Sequence, residues 1–154
     1  MNTQQPLIDK LHDLIKQGDD VDRCYSIRSL AAIRAPHSSE VLIECLRDED
    51  IDVCVDAADA LGQLGGESAA EKLLESLMND PDGEIKTACI KALAELGDTD
   101  TIPHFIAMAE QRPDNISFDD NEWDVWWDMQ LESIKALGAL KVRDAIPAFH
   151  KIIE

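Results

Sequence analysis

The chain has 154 residues and a formal net charge of −18, from 14 Lys and Arg against 32 Asp and Glu. That balance excludes a nucleic-acid binder, which neutralises phosphates with clustered cations, and an anionic membrane surface would repel it for the same reason. The 45% hydrophobic content suits a globular chain, and no apolar run approaches the roughly 20 residues that cross a bilayer. No basic segment followed by an apolar one opens the chain, so no export signal is expected and the cytoplasm is the expected location.

Taken in order, the chain reads as pairs of helices. The first pair is predicted over 6–17 and 21–34, where Gly18-Asp19-Asp20 supplies both a stop and a cap and Pro36 ends the second helix. Residues 39–47 and 51–64 form the next pair, closed by Gly65-Gly66. The third joins 68–78 to 84–96 through Asn79-Asp80-Pro81-Asp82-Gly83 and stops at Gly97. The fourth pairs 101–110 with a helix ending near Leu140, and a last helix is predicted over 145–153. Leu42/Ile43 with Leu46, and Leu73/Leu74 with Leu77, show the i, i+3, i+4 spacing of one apolar stripe.

The second helices repeat one another. The stretch 51–66, IDVCVDAADALGQLGG, returns as DDVDRCYSIRSLAAI, GEIKTACIKALAELG and WDMQLESIKALGAL, so that Leu30, Leu61, Leu93 and Leu137 coincide. Ile33, Leu64, Leu96 and Leu140 coincide three residues on, and Ile27, Ala58, Ile90 and Ile134 three residues before. A period of about 31–32 residues marks a repeat array in which no single pair can bury its own face. The expected fold is an all-α superhelix of about nine helices in four and a half hairpins. It is a right-handed solenoid with first helices outside and second helices lining the concave side. One domain over 1–154 is expected, with repeats at about 6–35, 39–66, 68–97 and 100–140 and a capping helix at 144–154.

The pattern V-[RK]-x-x-A-A-x-A-L-G-x-L-G, preceded by L-x-x-x-L-x-D-x-[DP], resembles the short HEAT-like repeat of the phycobilisome-lyase type. Ile85-Lys86, Ala92-Leu93 and Leu96-Gly97 carry it, as do Val53, Ala57-Ala58, Ala60-Leu61-Gly62 and Leu64-Gly65. Cys54 and Gln130 stand where the family has Arg, and Ser26-Ile27 replaces the paired alanines in the first repeat. The resemblance implies an α solenoid of a class that serves as chromophore-lyase subunits, adaptors, scaffolds and inhibitors.

The fourth repeat breaks the period. Leu93 and Leu137 are 44 residues apart, and the excess lies in 111–126, QRPDNISFDDNEWDVW. Per-repeat insertions project as loops on one face, often the binding face. Asn121 is a candidate N-cap that would start the helix two turns early and set Trp123, Trp126 and Trp127 on one face. Aligning Met129 with Val53 puts Trp127 in the place of Ile51, where a core slot is expected, and leaves Trp123 and Trp126 beyond what the other repeats cover. Either the indoles cap the core, or they are exposed anchors in an acidic ring with Phe118, Asp119, Asp120 and Asp124; tryptophan suits a hot spot and a cation–π face.

A second acidic block spans 40–84, with 14 acids against Arg47 and Lys72. Asp52, Asp56 and Asp59 are expected on the concave side, and the row Arg28, Asp59, Lys91, Lys135 predicts pairing between helices. Cys24, Cys45, Cys54 and Cys89 lack any CxxC or metal-ligand spacing and read as buried free thiols. Asp120, Glu122, Asp124 and Asp128 imitate a calcium loop, but Val125 and Leu131 stand where it needs Gly and Glu. Four scattered histidines, with no phosphate loop and no nucleophile elbow, argue against an enzyme.

The expected function is therefore non-enzymatic protein–protein interaction, as adaptor, scaffold or inhibitor. A basic partner protein would be bound through the concave acidic face and the Trp-rich insertion, without metal or cofactor. The alternative is a chromophore-lyase-like or chaperone subunit holding a small ligand near the indoles. A monomer is expected, or a weak homodimer through the C-terminal helix.

Overall fold

The structure is a computed structural model that describes residues 4–116 and 123–142, the side chains of Trp123 and Asp124 excepted. Eight α-helices account for most of the described residues: α1 Gln5–Gln17, α2 Asp20–Ala32, α3 Ser39–Cys45, α4 Ile51–Leu64, α5 Ala69–Asn79, α6 Gly83–Leu96, α7 Ile102–Glu110 and α8 Trp123–Ala139. A short 3₁₀ turn, Thr99–Thr101, leads into α7. The helix predicted over 145–153 and the cap assigned to Asn121 lie outside the described residues.

Helices α2, α4, α6 and α8 pack side by side as one continuous layer, each also covered by the first helix of its own pair. The first helices hardly meet one another, α3 and α5 touching at their edges. The layer with the tighter lateral packing has the shorter arc, which makes the second helices the inner side of the array. Ile27, Leu30, Ala58, Leu61, Ile90, Leu93 and Leu137, which coincide in the repeat alignment, are all buried in one core with Ile8, Leu42, Leu73 and Phe105 from the first helices.

Two positions of the repeat explain why every pair turns in the same way. Asp19, Asp50 and Asp82 occupy the same place before α2, α4 and α6, and each accepts from the first free backbone N–H groups. The donors are Asp22 at 2.8 Å, Val53 at 3.2 Å, and Glu84 and Ile85 at 2.8 and 3.0 Å. An aspartate there satisfies orphan donors and complements the helix dipole. In the fourth repeat the position is Trp126, inside a helix that begins earlier, at Trp123.

Four residues after each of these four positions sits a donor: Arg23, Cys54, Lys86 and Gln130. Each reaches back to a carbonyl at the end of its own first helix or just beyond. Arg23 Nη1 donates to Gly18 at 3.1 Å, Cys54 Sγ to Asp48 at 3.3 Å, Lys86 Nζ to Leu77 at 2.6 Å and Gln130 Nε2 to Ala109 at 2.8 Å. Helix ends leave carbonyls without intrahelical partners, and this position supplies one in every repeat. It is the place where the sequence pattern has Arg or Lys, so Cys54 and Gln130 keep the job with different chemistry.

The second helices also share a positive φ at one position beyond their ends, although Gly65 differs from Gly97 in ψ, −152° against 25°. Arg34, Gly65, Gly97 and Lys141 hold the position four after the coinciding leucines, all at positive φ between 48° and 71°. Ala35 and Val142 then donate back to Leu30 and Leu137 at 2.9 and 3.1 Å, closing the left-handed turn. For a residue with a Cβ this conformation costs about 1–2 kcal/mol. Arg34→Gly and Lys141→Gly are therefore each expected to stabilise the fold by about 0.5–1 kcal/mol, net of glycine's own entropy. A thermal melt checks this, and an unchanged or lower midpoint would count against it.

Candidate partner-binding surface

The second helices carry most of the large apolar groups that the fold leaves uncovered. Among the described residues, the large apolar side chains exposed to solvent include Val21 and Tyr25 on α2, Ile51 on α4, and Trp127 and Leu131 on α8. The first helices contribute Leu7 and Met78. Exposed carboxylates share this layer: Asp52 and Asp59 on α4, Glu84 on α6 and Asp128 on α8.

The three aspartates assigned to this face differ from one another. Asp52 is exposed. Asp56 is nearly covered and its Oδ2 lies 2.8 Å from Arg28 Nε, an ion pair from α2 to α4 that uses its charge internally. Pairing between helices is thus realised, but one turn earlier than the predicted Arg28–Asp59 row, and Lys135 pairs with Glu132 of its own helix at 2.7 Å. Asp59 reaches solvent from a partly enclosed site. Desolvation there outweighs the nearby Lys91 charge and pushes its carboxyl above the ordinary range.

The indoles correct the sequence reading. Trp127 is 57% exposed and not in a core slot, because its counterpart Ile51 is itself 45% exposed at the start of α4. Trp126 is the half-buried one. Its Nε1 is shielded from solvent with no hydrogen-bond partner among the described residues, and its ring lies 5.8 Å from that of Trp127, tilted by 45°. The backbone of Trp123 opens α8, while its side chain, that of Asp124, and Phe118, Asp119 and Asp120 lie outside the described residues.

The start of the insertion folds back onto the preceding repeat, a contact with no sequence signal beyond an Asn beside an apolar residue. Asn115 Nδ2 donates to the Met78 carbonyl at 2.8 Å near the end of α5, and Ile116 is buried. At the far end, α8 approaches α6 so closely that a Cβ on Gly83 would overlap Val125 Cγ1.

The cysteines are free, with Cys45, Cys54 and Cys89 buried and Cys24 half-buried. Burial pushes the thiols of Cys45 and Cys89 up to about 12 and those of Cys24 and Cys54 to about 11. Since the thiolate is the reactive form, the native chain is expected to react with Ellman's reagent far more slowly at neutral pH than the urea-unfolded chain. A native rate equal to the unfolded rate would contradict the burial. No group of His, Cys, Asp and Glu among the described residues could hold a metal ion, and no helix among them is long and apolar enough to cross a membrane.

Comparison with known families matches HEAT repeats over residues 8–93, more than half of the chain, and the PBS lyase HEAT-like repeat over 85–111. The chain belongs to the HEAT-repeat family. No curated protein sequence matches it. HEAT repeats generally mediate protein–protein interaction and are typically non-enzymatic. In this HEAT-repeat protein the family motif accounts for the caps, the carbonyl donors and the core leucines. It does not account for the exposed apolar groups of the inner face, which the repeat pattern does not require.

Proposed function

We propose that this HEAT-repeat protein is a cytoplasmic, non-enzymatic binding module, an adaptor, scaffold or inhibitor, that engages a basic protein partner through the inner face of its second-helix layer. One observation carries the reading: among the described residues, five of the seven large apolar side chains left exposed belong to the second helices, whose exposed positions also carry carboxylates. Apolar groups exposed together mark interaction sites, and aromatic anchors dominate interface energetics. The net charge of −18 adds long-range attraction toward a cationic partner and raises the encounter rate. Within the site, Ile51, Trp127 and Leu131 supply contact area while Asp52 and Asp59 supply charge. Asp56 holds Arg28 and contributes shape. Trp126 lies beside Trp127, and Trp123, Phe118, Asp119, Asp120 and Asp124 are assigned to the same surface by their sequence position in and next to the insertion.

Affinity capture from a lysate tests this, using the wild type, an Ile51→Ser/Trp127→Ser variant and a Leu7→Ser control on the outer layer. A basic protein retained by wild type and control, lost with the double variant and weakened by rising ionic strength is the expected result. Retention by all three proteins would overturn the reading.

A further inference from the structure

The inner face is not smooth. Helix α6 starts at Gly83 and presents the small residues Thr87 and Ala88, while its neighbours rise on both sides, Val55 and Asp59 on α4 and Val125 and Asp128 on α8. The result is a cleft of about 270 Å³ along α6, running from Glu84 to Lys91. Those two residues are two turns apart, roughly 10 Å at 1.5 Å per residue. Its walls are apolar, from Val55, Ala88 and Val125, and its rim carries Asp59, Glu84 and Asp128 against the single cation Lys91.

We propose that this cleft seats one lysine or arginine side chain of the protein partner. The assignment rests on the inner face being the binding surface. A long cationic side chain has an apolar stem and a charged head, which matches valine walls below a carboxylate rim. An apolar guest would strip water from the carboxylates without compensation, and an acidic one would be repelled. The part-enclosed Asp59, whose charged form burial disfavours despite nearby Lys91, gains a further counter-charge when a cation arrives. Trp127 and Leu131, next to and three residues after Asp128 on α8, and Ile51, four residues before Val55 on α4, are exposed and give the flanking residues of a polypeptide something to cover, which a free polyamine lacks.

Amide chemical-shift titrations of the full chain test this. The probes are a capped Leu-Lys-Leu-Lys-Leu peptide, the same peptide with norleucine for lysine, and spermidine. The lysine peptide is expected to give saturable shifts at Val55, Thr87, Ala88 and Val125. Its affinity should fall about tenfold or more when lysine becomes norleucine, and likewise in Asp59→Asn/Asp128→Asn, since desolvated charge pairs are strong and the surface substitutions leave the core alone. Thr87→Met, which fills the cleft, should abolish the cleft shifts while the thermal midpoint stays near wild type. Unchanged peptide affinity in Asp59→Asn/Asp128→Asn, or spermidine binding as tightly as the peptide, overturns the assignment. Saturable shifts confined to Val21, Tyr25 and Arg28 would overturn the cleft and leave the inner face as the binding surface. No shift anywhere on that face would overturn both.

Discussion

Replacing Lys86 with alanine is expected to lower the stability of the fold by about 2–4 kcal/mol, read as a lower urea midpoint at unchanged m-value. Lys86 is fully buried, and its ammonium donates to the Leu77 carbonyl at 2.6 Å near the end of α5. Alanine removes the packed stem and strands that carbonyl, so the cavity cost and the desolvation cost act together. Lys86→Met separates the two, because methionine keeps most of the volume and loses the donor and the charge. Burial lowers the folded-state pKa of Lys86 below the ordinary 10.5, with the Asp80 charge opposing in part. In the window between that lowered value and 10.5 the unfolded chain binds more protons than the folded one, and stability rises with pH. Wild type should therefore gain on Lys86→Met as pH is raised from neutral toward 10.5. A stability difference that does not move with pH would show that the amine feels no burial.

The second large effect is expected at Gly62. A Cβ built there would lie 2.8 Å from Ala92 Cα and 3.0 Å from its Cβ, so α4 and α6 touch backbone to backbone. Gly62→Val should force the two helices apart and cost about 2–3 kcal/mol, the upper range for overpacking a well-filled core. Gly62→Ala should cost less, since alanine recovers about 1 kcal/mol of helix propensity. Equal midpoints for wild type and Gly62→Val in denaturant titration would contradict the packing. Because α4 and α6 form the floor of the inner face, the substitution should also weaken whatever that face holds.

The fold was legible because its determinants are local and repeated. Apolar spacing placed α4 at its observed bounds and the other described second helices within one or two residues, and Gly65, Gly97, Asp50 and Asp82 punctuate the chain as their backbone chemistry requires. The donor row was visible only as a deviation, since nothing in Cys54 or Gln130 announces that it does the work of a cation. Lys86 reads as a solvated residue until the packing of α5 on α6 is known. Trp127 was misplaced for a similar reason. Alignment transfers an environment correctly only if the reference residue's environment is known, and Ile51 is an isoleucine that happens to face outward. The partner of Arg28 was missed by one turn because Asp56 and Asp59 share a face of α4, and which one a long side chain meets depends on the rotation of α2.

The unequal packing of the two layers has a mechanical corollary. Second helices locked side by side behave like the stiff backing of a watch strap, while the first helices, separated by clefts such as the roughly 420 Å³ space between α3 and α5, are links that can spread or close. Bending the strap changes the gap between links more than it stretches the backing. A change of curvature by tilting the outer helices about the continuous inner layer would therefore break only a few exposed contacts such as Arg47 with Glu75. A guest of slightly different girth could be gripped without any rearrangement of the leucines beneath it.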